Sequence, residues 1–296
     1  MTYFRANQIQ IKIDRRNFLK SLAAGFVGVG ISPAGLLADV ADNKAGSRQE
    51  IGDLYIKDYL HKMTNFDRPH KNDVYMERKD FLLLESSVRR FKRLQQTVGH
   101  GNFHLLDFDD AIKIACNYSK VGAFSSKELS FIEMVFYNDP SPYGFFGEKP
   151  VKNLTDRIRR KEVVKIPGTG NFLYKGLPLE TYKKIKKDLG DIALLTSGVR
   201  SVIKQFLLFL NRTYDTGGNL SLASRSLAPP GYSFHGISDF DIGQAELGSD
   251  NFTERFVTTE VYRRLKEMGF LNLRYPQNNP FGVRFEPWHI KVHSRT

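Results

Sequence analysis

The chain has 296 residues, 41% of them hydrophobic and 26% charged. This excludes a disordered or fibrous protein and supplies enough apolar side chains for one large core or two modest ones. A lone cysteine, Cys116, rules out an intramolecular disulfide. The formal charge of +12 suits an anionic partner, but without a glycine-rich nucleotide loop, a Cys/His finger or an arginine-rich arm, nucleic acid is set aside.

The first element is residues 1–38, where Asp14-Arg15-Arg16-Asn17-Phe18-Leu19-Lys20 precedes a weakly apolar run from Ser21 to Ala38. It resembles the twin-arginine export signal of bacteria: paired arginines, a Phe-Leu-Lys element, then a hydrophobic run softened by glycines. Gly25, Gly28, Gly30 and Pro33 make that run too polar and breakable for a membrane span, which needs about 20 mainly apolar residues. Cleavage near Ala38 or Ala41 is therefore expected, leaving no stable span, against the plainer reading of an uncleaved anchor or buried helix. The resemblance implies the twin-arginine machinery as a partner and a periplasmic or other extracytoplasmic location. This route carries folded proteins and suits a chain that takes up a metal before export. Arg5, Lys12, Arg15, Arg16 and Lys20 against Asp14 give this segment a net +4, so +8 of the +12 remains, a balance suited to the anionic bacterial wall.

Residues 39–50 form a polar linker. Residues 51–165 read as a mainly helical region of unassigned role. Apolar residues recur at helical spacing over Asp58–Met63 and Phe81–Gln96, and again over Phe108–Tyr118, which opens after Asp107 with Ile112, Ala115 and Cys116 on one face. On that face Cys116 reads as a small buried hydrophobe. Ser125-x-x-Glu128 predicts a capping box and a helix through Tyr137 burying Leu129, Ile132 and Phe136, stopped by Asn138-Asp139-Pro140-Ser141-Pro142.

Residues 166–296 mix short strands with helices, so the fold class is α+β, with a boundary near Ile166–Gly170. Pro178 opens a helix that ends before Gly190. Ile192–Thr196 reads as a strand, Val199–Asn211 as an apolar helix, Ser238–Gly243 as a strand and Thr253–Met268 as an amphipathic helix closed by Gly269. Val283–Val292 is expected to form two strands about a Glu-Pro-Trp-His corner.

The chemistry concentrates in this half. Thr196-Ser197-Gly198-Val199-Arg200-Ser201, then Ser233-Phe234-His235 running on to Phe240-Asp241-Ile242-Gly243, then Glu286-Pro287-Trp288-His289 supply two imidazoles, carboxylates and a guanidinium. A hydrolytic zinc site needs three protein ligands, an open fourth position and a nearby base that does not bind the metal. Singly, each segment has a blander reading: His235 with Asp241 as a hydrogen-bonded pair, Glu286 with His289 as a surface pair beside a core tryptophan.

Together and in order, the segments resemble the zinc D-alanyl-D-alanine carboxypeptidases, which include the vancomycin-resistance D,D-peptidases, within the group that also holds lysostaphin-type enzymes and the hedgehog domain. The family signature is Ser-Gly-x-Arg-Ser, then Ser-x-His-x-x-Gly-x-Ala-x-Asp, then Glu-x-Trp-His. Ser197, Gly198, Arg200 and Ser201 fit the first part; Ser233, His235 and Asp241 the second; Glu286, Trp288 and His289 the third. The family's His-to-Asp spacing is seven positions, whereas His235 to Asp241 is six, so Asp239 is a rival ligand: residues two apart on a strand share a face.

The resemblance implies a hedgehog/D,D-peptidase-like catalytic domain over 166–296. His235, Asp241 and His289 would hold Zn2+ and Glu286 would be the proton-shuttling base. Arg200 would stabilise the oxygen of the scissile carbonyl, and Ser233 would lie by the substrate's terminal carboxylate or orient the ligands. The implied substrate is the peptidoglycan stem peptide, cut at its terminal D-alanine. An endopeptidase with the same metal chemistry and a non-catalytic wall-binding module stay open as rivals. Gln205 and Trp288 read as supporting packing, and His61, His70, His100, His104 and His293 have no partner spacing that recommends them.

Overall fold

The structure, a computed structural model, describes residues 57–292. The expected export signal and linker, and His293, lie outside the described residues. The chain divides into two units, Met1–His61 and Lys62–Thr296. The first is described only over 57–61, which is helical; the second holds everything below.

Three longer helices, with a single turn over His100–Phe103 between the first two, open the second unit: α1 over Phe81–Val98, α2 over Phe108–Asn117 and α3 over Ser126–Tyr137. The side chain of Asp107 caps α2 by accepting from Asp110 N–H. Ser125 and Glu128 form a reciprocal capping box at α3, and the helix stops at Asn138, before Pro140. On α2 the buried side chains are Phe108, Ala111 and Ala115, while Cys116 is exposed. The expected burial of Cys116 is therefore corrected: one residue past Ala115 is about 100° round the helix, which carries it off the inward stripe.

A two-stranded antiparallel ribbon follows, β1 (Val163–Lys165) paired with β2 (Phe172–Tyr174). Helix α4 covers Leu177–Leu189, with Pro178 in its first turn and Gly190 after its end. Strand β3 is Ala193–Ser197 and helix α5 is Val202–Asp215, begun by the Ser201 hydroxyl accepting from Lys204 N–H. The helix thus starts three residues later than its apolar pattern suggests, and the intervening residues form a loop. Strand β4 is Phe240–Gln244, helix α6 is Glu260–Glu267, and β5 is only His289–Ile290.

Two expectations fail here. Thr253–Met268 is not one helix: a 3-10 segment over Glu254–Thr258 gives way at Thr259, whose hydroxyl caps α6 by accepting from Tyr262 N–H. The tail is not two strands, because Pro287 has no N–H to pair and Glu286 N–H donates to Tyr275 O instead.

Helices α1, α2, α3 and α5 bury one apolar core, in which Leu84, Phe91, Ile132, Phe136, Phe206 and Phe209 are essentially inaccessible. Phe91 stacks on Phe206 with ring centres 5.8 Å apart. A second core lies between the three-stranded antiparallel sheet, in order β3-β4-β5, and helices α4 and α6, through Ile185, Leu195, Phe240, Ile242, Leu265 and Trp288. No helix among the described residues is long and apolar enough to cross a membrane.

Candidate metal centre

The sheet register assembles the site. On β4, Phe240 and Ile242 turn into the second core, so the alternation of a strand sends Asp241 to the other face. Asp241 stands opposite Ser197 on β3, just past a register shift, and opposite His289 on β5. His235 arrives on a 3-10 turn, Phe234–Gly236, whose position is fixed by Arg200 N–H donating to His235 O at 3.1 Å. Gly198 is required at its position: a Cβ there would lie 2.0 Å from Phe172 O. Its own carbonyl accepts from His235 Nδ1 at 2.8 Å.

These bonds set the tautomers. Gly198 O can only accept, so His235 carries its proton on Nδ1 and leaves Nε2 as a free lone pair. His289 Nε2 lies 3.1 Å from Asp239 Oδ2, which leaves Nδ1 free. The two free nitrogens lie 3.3 and 3.1 Å from Asp241 Oδ1. That buried oxygen nevertheless accepts no hydrogen bond of proper geometry. Donor atoms of His235, Asp241 and His289 all fall within 4.8 Å of one another. Ligands about 2.0–2.1 Å from one tetrahedral ion sit about 3.3 Å apart, so the two separations from Asp241 Oδ1 match a zinc-sized cation, and two imidazoles with a carboxylate are donor types that suit it.

Asp239 occupies a different place. Its oxygens are taken by His289 Nε2, Arg274 Nε at 2.9 Å, Val292 N–H at 3.0 Å and the Ser238 hydroxyl. It supports the His289 ring from behind. Burial opposes its charge, but His289 and Arg274 outweigh that and hold its pKa down at about 2. Burial also opposes charge on His289, and the flanking Asp239 and Asp241 reverse the balance, raising it to about 10. His235, by contrast, is lowered to about 4 by burial and by Arg200. The second proton that these carboxylates draw onto His289 sits on Nδ1, where a metal cation would displace it.

Glu286 Oε2 is 3.7 Å from His289 Nδ1, close to the centre but not hydrogen-bonded to it. Its burial pushes the carboxyl pKa upward. Arg200 donates from Nε to the Ser197 hydroxyl at 2.9 Å and from Nη2 to Asp241 Oδ2 at 2.9 Å, a link the sequence does not announce. Ser233 is buried, and with Arg200, Glu286 and the three donors it lines a cavity of about 500 Å³.

The cavity also takes residues that no motif spacing marks. His100 and His104 come from the helical half: Ser201 N–H donates to His104 O at 2.8 Å, and His104 Nδ1 lies 3.1 Å from Val199 O. Gln205 and Trp288 do pack, yet both also face the cavity, and Gln205 Oε1 is buried there without a partner. No spacing rule could place His104, whose neighbours lie almost a hundred residues away.

Residues 180–294 match the model of the VanY family, D-alanyl-D-alanine carboxypeptidase. The VanY match begins within α4 and includes His235, Asp241, Glu286 and His289. Among solved structures, the LdcB LD-carboxypeptidase is 26% identical over 40% of this chain, with a TM-score of 0.34. The chain covers 58% of the LdcB chain. A mutant of the vancomycin-resistance D,D-pentapeptidase VanY from a VanB-type cassette, in complex with Zn(II), is 25% identical over 43% of this chain and 76% of its own, TM-score 0.34. VanYB in complex with D-alanine-D-alanine is 26% identical over 43% and 75%, TM-score 0.34. No curated protein matches the chain.

Proposed function

We propose that this chain is a zinc-dependent D-alanyl-D-alanine carboxypeptidase that removes terminal D-alanine from peptidoglycan stem peptides after export by the twin-arginine route, with residues 166–296 as its catalytic part. One observation carries the reading: Asp241 Oδ1 is buried, unbonded and flanked by the free nitrogens of two imidazoles whose tautomers are fixed from behind, with a desolvated carboxyl alongside. The family match over residues 180–294 supports it.

His235 Nε2, Asp241 Oδ1 and His289 Nδ1 would hold the ion. Zinc bound there would supply Lewis-acid polarisation of a water and of the scissile carbonyl. Glu286 takes the proton of the attacking water, a role suited to a carboxylate whose pKa burial has raised, and returns it to the departing amine. Arg200 has donors beyond those spent on Ser197 and Asp241, and it offers them to the carbonyl oxygen as negative charge develops. The Ser233 hydroxyl, on the same cavity, binds the peptide.

The test is incubation of the zinc-loaded protein with purified peptidoglycan fragments, with products identified by mass spectrometry. Release of free D-alanine is expected and should stop on chelation. Products from internal cleavage alone would make the protein an endopeptidase, and no products at all would refute the peptidase reading.

A further inference from the structure

Arg284 stands two residues before Glu286 and lines the same cavity. Its guanidinium carbon lies 4.6 Å from the ring centre of Phe66 and 4.8 Å from that of Trp288. Stacking of this kind leaves the N–H donors directed outward in the plane of the group. The side chain is only 15% exposed, and its Nε is buried with no hydrogen-bond partner. Glu286 Oε1, at 4.0 Å, is the one carboxylate oxygen within ion-pair range among the described residues, and it is too far for a hydrogen bond. Asp67 and Asp241 act on the group only at longer range, and Arg212 opposes them. A guanidinium mostly withdrawn from water, with its Nε left without an acceptor, is unfavourable until an anion arrives.

The two oxygens of Glu286 indicate which anion. Oε2 looks toward His289 and the metal ligands, while Oε1 looks toward Arg284. When a peptide bond is hydrolysed, the returned proton goes to the amine nitrogen of the leaving residue. If that residue is the last one, its α-carboxylate is two bonds from that nitrogen. A cation next to the proton-returning carboxyl, on the side away from the metal, therefore meets a C-terminal carboxylate. In an internal bond the same place is taken by a neutral amide.

We infer that Arg284 binds the free C-terminal carboxylate of the residue being released and so selects carboxypeptidase over endopeptidase cleavage. This rests on the peptidase function proposed above. Arg284 is a specificity-determining residue, and Phe66, whose carbonyl accepts from Arg225 Nε at 3.1 Å, holds its outer face.

The experiment compares kcat/KM for a stem pentapeptide with a free C-terminus and for its C-terminal amide, using the zinc-loaded full chain and its Arg284→Gln and Arg284→Lys variants. The wild type should prefer the acid by about 10- to 100-fold, the usual weight of a hydrogen bond to a charged group. In Arg284→Gln the preference should fall close to one, mainly through KM, with zinc content and amide cleavage retained. Arg284→Lys should keep part of the preference. Calorimetric binding of the same two peptides to the Glu286→Gln protein should show the same acid preference without turnover. A wild type that cuts acid and amide equally overturns the inference whether or not any variant folds, and so does an Arg284→Gln protein with undiminished preference; both leave the peptidase standing. A wild type that hydrolyses neither peptide removes the peptidase itself, and the inference with it.

Discussion

Two buried arginine–carboxylate pairs, one in each half of the molecule, are nearly identical in burial and length. Arg90 and Glu128 are 14% and 4% exposed and 3.0 Å apart; Arg200 and Asp241 are 15% and 3% exposed and 2.9 Å apart. They differ in what else they bond. Glu128 receives Arg90 through both oxygens and also Ser125 N–H at 2.8 Å, while Arg90 donates to the carbonyls of Val121 and Gly122. Asp241 leaves Oδ1 unbonded between two imidazoles. Of the seven buried side-chain polar atoms without a partner among the described residues, four line the single cavity at the metal centre: Thr196 Oγ1, Gln205 Oε1, Asp241 Oδ1 and Arg284 Nε. A saturated pair fixes helices α1 and α3; an unsaturated one is arranged for something not yet bound.

The largest break in this contrast comes from the donors themselves. Asp241→Asn and His289→Ala should each lose zinc, measured by metal analysis, and reduce turnover to background, because each removes one of the three proposed ligands. Next, Glu286→Gln should keep a full complement of zinc and lose about 10²- to 10⁴-fold in kcat, the usual share of a general base. Wild-type turnover in that variant would overturn its role. Asp239→Asn should do less, weakening zinc affinity by about 10- to 100-fold, because it bonds the far side of His289. Complete metal loss in Asp239→Asn with retention in Asp241→Asn would exchange the two assignments.

How much of this the sequence carries depends on whether a feature is local. The capping box at Ser125–Glu128, the stop at Asn138 and the entry of α4 at Pro178 are decided within one helical turn, so residue type and spacing disclose them. The three motif segments are legible as chemistry because ligand and base types recur in a known order. Breaks that depend on a competing partner are not legible: the Thr259 hydroxyl interrupts what reads as one helix, and Tyr275 O takes the N–H that a strand at Glu286 would use. The choice between Asp239 and Asp241 turns on Arg274 and Val292, 35 and 53 residues beyond Asp239, and no alternation rule contains them. The exposure of Cys116 turns on one step of 100°, finer than an apolar stripe specifies.

The smallest effect on the site should come from breaking the saturated pair. Glu128→Gln should leave zinc content and kcat/KM unchanged while destabilising the fold by about 3–5 kcal/mol at neutral pH, the usual consequence of leaving one member of a buried ion pair alone. Burial by itself would raise the Glu128 pKa, but the Ser125 N–H and the Arg90 guanidinium more than offset that and hold it below the ordinary glutamate value. A carboxyl whose folded-state pKa is depressed contributes stability that is complete above its unfolded-state pKa, about 4.5, and is lost as the pH falls through the folded-state value. Urea unfolding of wild type and variant should therefore differ most at pH 7 and converge in acid, where protonation of Glu128 in the wild type removes the charge that the substitution removes at every pH. A gap that stays constant with pH would mean that the glutamate acts through packing and capping alone, and the two arginine–carboxylate pairs would then differ in kind as well as in saturation.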